Sequence, residues 1–148
     1  MNRFLSFILL LFPTFTYCQI DIDKAGDGWE LKVDSALSII KQYDSTKYKL
    51  LVSVCDKVEF WNGSYSTNNG NRTIVVSVGD IKLGSLNNLS AVLVHESLHL
   101  YAVQAPMAWG DKVEENMCYR YELSFLEMLP NVESWLWTHT MQQIIETE

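Results

Sequence analysis

Hydrophobic and polar positions follow two different periods along this chain. Val33, Leu37 and Ile40, with Ala36 beside them, share one face of a 3.6-residue period, which predicts a short amphipathic helix from Val33 to about Tyr43. The run Tyr48 to Val54, with Leu50, Leu51, Val52 and Val54, is apolar and β-branched and predicts a strand; Val58 to Trp61 predicts a second, shorter one. Asn62-Gly63 and Asn69-Gly70 punctuate a polar loop or hairpin before Thr73 to Val78 resumes the strand pattern. From Asn88 to Gln104 the sequence is apolar nearly all round, the mark of a helix buried through the middle of a domain. Pro106 and Gly110 close that helix, a further helix runs from about Lys112 to Leu129 before Pro130, and a last one from about Val132 to Ile145. On the Lys112 to Leu129 helix the expected buried positions are Val113, Met117, Tyr121 and Phe125. The expected architecture is therefore α+β: a small mixed sheet of three or four strands packed on a buried central helix, with two further C-terminal helices.

The N-terminus stands apart from this pattern. Arg3 precedes an uncharged apolar run from Phe4 to Phe12, and Pro13 follows. Such a run is too short to span a hydrocarbon core of about 30 Å and reads as an export signal, residues 1–18, cleaved between Cys18 and Gln19 where Thr16 and Cys18 offer small side chains. A competing reading makes Cys18 a lipid-modified N-terminus, against which Tyr17 is bulky. Residues 19–148 are then a single domain in a secreted or periplasmic setting, with no membrane span.

Composition sharpens this picture. The chain of 148 residues is 48% hydrophobic and 20% charged, a balance typical of one globular domain. Loss of Arg3 leaves ten basic against eighteen acidic residues, a net charge of −8, which offers no footprint for nucleic acid or an anionic membrane. That balance mildly favours a basic peptide as partner, although excess charge also serves solubility. Cys55 and Cys118 remain and could pair in an oxidising compartment or stay as separate buried thiols. Asn62-Gly63-Ser64, Asn71-Arg72-Thr73 and Asn88-Leu89-Ser90 match glycosylation sequons.

Chemistry concentrates in the apolar helix, which contains His95-Glu96-Ser97-Leu98-His99, the pattern H-E-x-x-H. Imidazoles four residues apart on a helix lie one turn above each other and can converge on one zinc ion, with Glu96 leaning over the open position as a general base. With 3 histidines in 148 residues, chance gives this spacing with a glutamate in second place about 0.3% of the time. Zinc then needs a third protein ligand, and the adjacent carboxylates Glu114 and Glu115 on the next helix point about 100° apart, so one of them faces the metal. The other complements the helix dipole.

His95-Glu96-Ser97-Leu98-His99, followed by Glu115-Asn116-Met117-Cys118 on the next helix, resembles the gluzincin branch of zinc metallopeptidases over residues 88 to 125. The resemblance implies a zincin-like fold, Zn²⁺ held by His95, His99 and Glu115, Glu96 as general base, and cleavage of a peptide or protein substrate. It also implies a substrate-binding sheet edge, here Thr73 to Val78. Tyr119 stands where that family often has an acidic residue beside the ligands. Glu114 and His139 are the alternative third ligands, and His139, Tyr119 and Tyr121 the candidate oxyanion donors. Trp61, Trp109, Trp135 and Trp137 read as packing residues. Two other functions compete: a binding module in which zinc does not catalyse, and a deformylase-like amidase in which Cys55 would be a ligand.

Overall fold

The computed structural model describes residues 19–24, 27–105 and 107–148. The expected export signal, Gly26 and Pro106 lie outside the described residues. Among the described residues the chain forms six helices and four strands, an α+β arrangement.

A two-residue strand β1 (Asp21–Ile22) precedes two helices, α1 (Trp29–Tyr43) and α2 (Ser45–Val54). Helix α1 buries Val33, Ala36 and Ile40, the stripe expected from the sequence. Helix α2 overturns the strand expected from Tyr48 to Val54. Its start is fixed by Asp44, whose carboxylate accepts hydrogen bonds from the backbone N–H of Thr46 (3.1 Å) and Lys47 (3.0 Å) and pairs with the Lys47 ammonium at 2.8 Å. Lys47, Leu51 and Val54 then face inward at helical spacing, so cap and burial together outweigh the weak strand preference of the β-branched residues.

The strands β2 (Lys57–Trp61), β3 (Thr67–Asn68) and β4 (Thr73–Ser77) follow, as expected for the first and last of these. The four-stranded sheet is mixed, in the order β1-β2-β4-β3. Strand β2 runs parallel to both β1 and β4, with Lys57 opposite Thr73 and Trp61 opposite Ser77. Strand β3 is antiparallel to β4, with Thr67 opposite Val75 and Asn68 opposite Ile74. The expected free edge at Thr73 to Val78 is thus covered: β4 lies inside the sheet, and β3 forms the edge.

Val78 belongs not to that strand but to a short helix α3 (Val78–Leu83), capped by Ser77 Oγ accepting from Asp80 N at 3.0 Å. Gly84 ends α3 where no other residue fits, because a Cβ there would collide with the carbonyl oxygen of Asp80 and the side chain of Asn88. Helix α4 (Leu86–Gln104) follows, with Ser85 Oγ accepting from Asn88 N at 3.1 Å. Leu89, Ala91, Leu93, Val94 and Leu100 are all buried, so α4 is the central helix of the core, flanked by α1, α2 and the sheet. Asn88 is itself buried, which withdraws its sequon from the surface.

Helix α5 (Asp111–Leu126) packs on α4, and α6 (Ser134–Thr147) packs on α5. The buried face of α5 is Cys118, Glu122, Phe125 and Leu126. Of the expected face only Phe125 is fully buried: Val113 and Met117 are 55% and 42% exposed, and Tyr121 is half-buried beneath the Lys47 ammonium. The helix is rotated so that Glu114, Glu115 and Glu122 reach the imidazoles of α4, while Val113 and Met117 are left exposed. Trp61, Trp135 and Trp137 are likewise exposed rather than packed. Cys55 and Cys118 are both buried and free, so no disulfide joins them.

Candidate metal centre

His95 and His99 lie one turn apart on α4, and their Nε2 atoms face each other at 3.2 Å. The Glu115 carboxylate reaches both: Oε2 is 3.5 Å from His95 Nε2, and Oε1 is 3.4 Å from His99 Nε2. A tetrahedral ion with bonds of about 2.0–2.2 Å separates its ligand atoms by about 3.3–3.5 Å. The two Nε2 atoms thus stand at about the separation such an ion requires, and the Glu115 carboxylate lies across them with one oxygen toward each ring.

The opposite ring nitrogens are held by other carboxylates. His95 Nδ1 donates to Glu122 Oε2 at 3.1 Å, and Glu122 Oε1 accepts from Thr140 Oγ1 of α6 at 2.6 Å. His99 Nδ1 donates to Glu114 Oε1 at 2.6 Å. Fixing a proton on each Nδ1 leaves both Nε2 lone pairs free for a metal and raises their basicity. Glu114 is thus placed behind a histidine rather than in front of it, and among the two adjacent carboxylates Glu115 is the one that faces both Nε2 atoms. The carboxylate behind His95 is Glu122, one turn beyond Tyr119 on α5.

Cys118, fully buried on the same face of α5, brings its Sγ within 4.8 Å of the ligand atoms of His95 and His99, and this group could hold a metal ion. Cys55 is elsewhere, at the end of α2, where its thiol donates to the carbonyl of Lys57 at 3.2 Å.

The electrostatics of the cluster favour a cation. Burial works against charge on His95, but the carboxylates of Glu115 and Glu122 outweigh it and lift the imidazole to about 9. His99 is raised in the same way, against burial, by Glu115 and Glu114. Hydrogen bonds from His95 and His99 hold the Glu115 carboxyl well below the usual carboxylate range. Without a metal, protons supply the positive charge that these carboxylates demand.

Glu96 is 7% exposed and lies on the groove side of the pair. Burial pushes its carboxyl above the ordinary value, and His95 and His99 draw it partly back. Its Oε2 faces Asn68 Nδ2 of the edge strand β3 at 3.4 Å. The Asn68 amide is oriented in turn, because its Oδ1 accepts from Gly70 N at 3.2 Å.

Two cavities meet at this point. One, of about 570 Å³, runs past His99, Glu115 and Thr67. The other, of about 360 Å³, runs past Val92, Leu136 and His139. Both are lined by His95, Glu96 and Tyr119, so these residues sit at their junction. The Tyr119 ring packs edge-on against His95 with centroids 4.5 Å apart, and burial followed by the carboxylates of Glu115, Glu122 and Glu96 raises its hydroxyl to about 12. His139 is exposed on α6 and lines the second cavity without reaching the Nε2 pair; Tyr121 lines neither cavity.

Sequence reasoning missed Glu122, Thr140 and Asn68. Glu122 was within reach, since Glu115, Cys118, Tyr119 and Glu122 recur at helical spacing on one face of α5. Thr140 and Asn68 carry no local signal, because only the tertiary packing of α6 and β3 brings them to the centre. Comparison of the chain with protein-family models, with curated proteins and with solved structures finds no match in any of the three.

Proposed function

We propose that this protein is an exported zinc-dependent hydrolase, acting as a peptidase of the gluzincin type with a zincin-like centre, in which His95, His99 and Glu115 hold Zn²⁺. One observation carries the reading: the two Nε2 atoms of α4 stand 3.2 Å apart, the Glu115 carboxylate of α5 sets one oxygen 3.5 Å from His95 and the other 3.4 Å from His99, and each imidazole is backed by its own carboxylate. A site with three protein donors keeps a fourth position open, as catalytic zinc requires.

Zinc bound there would lower the pKa of a water molecule and polarise the scissile carbonyl. Glu96 Oε2, at the junction of the two cavities, accepts the proton of the attacking water and passes it to the departing amine. Its raised pKa suits both halves of that task, because a carboxyl nearer neutrality returns the proton more readily. Asn68 Nδ2 steadies Oε2, and Tyr119, whose raised pKa keeps its hydroxyl protonated, is the groove-lining donor suited to a developing oxyanion. The stretch Tyr65 to Asn68, which includes the edge strand β3, forms one wall along which an extended peptide can lie. Export rests on the N-terminal apolar run; among the described residues no helix is long and apolar enough to cross a membrane.

Cys118 supports a second reading, a closed non-catalytic zinc site that serves a binding module, because a fourth protein ligand would occupy the open position. Zinc content and digestion of a peptide library separate the two. In the hydrolase, Glu96→Gln keeps stoichiometric zinc and loses cleavage by a factor of about 10² to 10⁴, and Cys118→Ala keeps both zinc and activity. Wild-type protein that fails to bind zinc, or a Glu96→Gln variant that still cleaves, would sink the hydrolase reading. Loss of zinc in Cys118→Ala would favour the closed site.

A further inference from the structure

The second cavity has the construction of a pocket for one long side chain. Beginning at Glu96 and Tyr119, it runs between the apolar surfaces of Val92, one turn before Glu96 on α4, and the buried Leu136 of α6. Beyond them it reaches Asp80 and Asn88, which a neighbouring cavity towards Trp135 shares, so these two stand at the end away from the metal centre. Asp80 Oδ2 accepts hydrogen bonds from Ser66 Oγ at 2.6 Å and Ser77 Oγ at 2.8 Å. These bonds fix the carboxylate between β4 and the β2–β3 connection. Among the described residues no lysine or arginine forms an ion pair with it.

Charge along the groove points the same way. The two cavities are lined by six carboxylates, those of Asp80, Glu96, Asp111, Glu114, Glu115 and Glu122, and by no lysine or arginine. A bound dication offsets only two of these charges. Apolar walls that take an alkyl stem and a fixed carboxylate that takes its charged head are the complement of a long basic side chain. An acidic side chain in the same place would be repelled.

We infer that the recess between Glu96 and Asp80 takes the side chain of a lysine or arginine in a peptide substrate, next to the bond that is cut. This deepens the proposed function and rests on the groove being the substrate site. Its volume of about 360 Å³ leaves room for an arginine side chain.

The test is binding, measured apart from turnover. Zinc-loaded Glu96→Gln protein is titrated calorimetrically with a blocked pentapeptide carrying arginine at its centre, and with the same peptide carrying citrulline, which matches arginine in shape but not in charge. The arginine peptide is expected to bind at least tenfold more tightly. Asp80→Asn in the same background, which keeps an oxygen for the two serine hydroxyls, should reduce that preference to less than twofold and leave citrulline binding unchanged. Equal binding of the two peptides, no binding of the arginine peptide at millimolar concentration, or a preference that survives Asp80→Asn overturns the inference. A separate digestion with wild-type protein keeps the two ideas distinct, since absence of cleavage refutes the hydrolase while leaving the arginine preference to stand or fall on the titration.

Discussion

Replacing Glu122 with glutamine separates charge from shape at the least exposed part of the metal centre. Each oxygen of the buried carboxylate has one partner, His95 Nδ1 at 3.1 Å and Thr140 Oγ1 at 2.6 Å. In Glu122→Gln the amide oxygen accepts from His95, and the amide nitrogen donates to Thr140, whose own proton turns to Leu136 O at 3.0 Å. No polar atom is left unpaired, so the fold should survive with a loss of about 1 kcal/mol, the difference between a charge-assisted and a neutral hydrogen bond. Zinc affinity should fall by about 10- to 100-fold, equivalent to about 1.4–2.7 kcal/mol, because a neutral amide does not enhance the basicity of the imidazole. Glu122→Ala, which strands both His95 Nδ1 and Thr140 Oγ1, should cost about 1–3 kcal/mol of stability for each unsatisfied group as well. Competition against a chromogenic chelator measures the affinity, and denaturant melts of the metal-free proteins measure the stability. Wild-type zinc affinity in Glu122→Gln would refute the orienting role of Glu122.

The other predictions test the fold. The Asp44 carboxyl is pushed up by burial, but the Lys47 ammonium and the N–H groups of Lys47 and Thr46 outweigh this and lower it below its unfolded value of 3.8. Its contribution is therefore present above that pH and is lost as pH falls through the lower folded value. Wild type should exceed Asp44→Asn in stability at pH 7, and the gap should close in acid melts. Phe125→Ala should cost about 3–5 kcal/mol in urea unfolding, whereas Met117→Ala, on the exposed side of α5, should stay within about 0.5 kcal/mol. Gly84→Ala drives a Cβ into the carbonyl of Asp80 and should lower stability by about 1–3 kcal/mol, read as a lower thermal midpoint.

What the sequence disclosed followed the range of the forces involved. Helix α4 was legible because Leu89, Leu93 and Leu100 are buried along its length and its apolar character is continuous. The His95 and His99 pair was legible because helical spacing alone brings their rings together. The stretch Leu50 to Val54 misled, since a run of apolar residues looks alike in both elements and the deciding bonds come from Asp44, outside the run. On α5, hydrophobicity pointed to Val113 and Met117, yet the helix turns Cys118 and Glu122 inward and sets the half-exposed Glu115 against the imidazoles. Affinity for the imidazoles of α4 overrides apolar burial there, which a reading based on hydrophobicity alone cannot foresee. The place of β3 at the sheet edge depends on pairing across the Asn69-Gly70 turn, and a two-residue strand leaves no periodic trace.

The division of the candidate centre between α4, which carries the imidazoles, and α5, which carries Glu114, Glu115 and Glu122, would make a bound ion a fastener between the two helices. An unfolded chain holds no such array, so the free energy of capturing a metal would at the same time be free energy of docking the two helices. At a free zinc concentration a hundred times the dissociation constant, that linkage adds about 2.7 kcal/mol to the folded state. The melting temperature of this protein should then serve as a gauge of available zinc. Substitutions anywhere along the seam between α4 and α5 would change metal occupancy without touching a ligand.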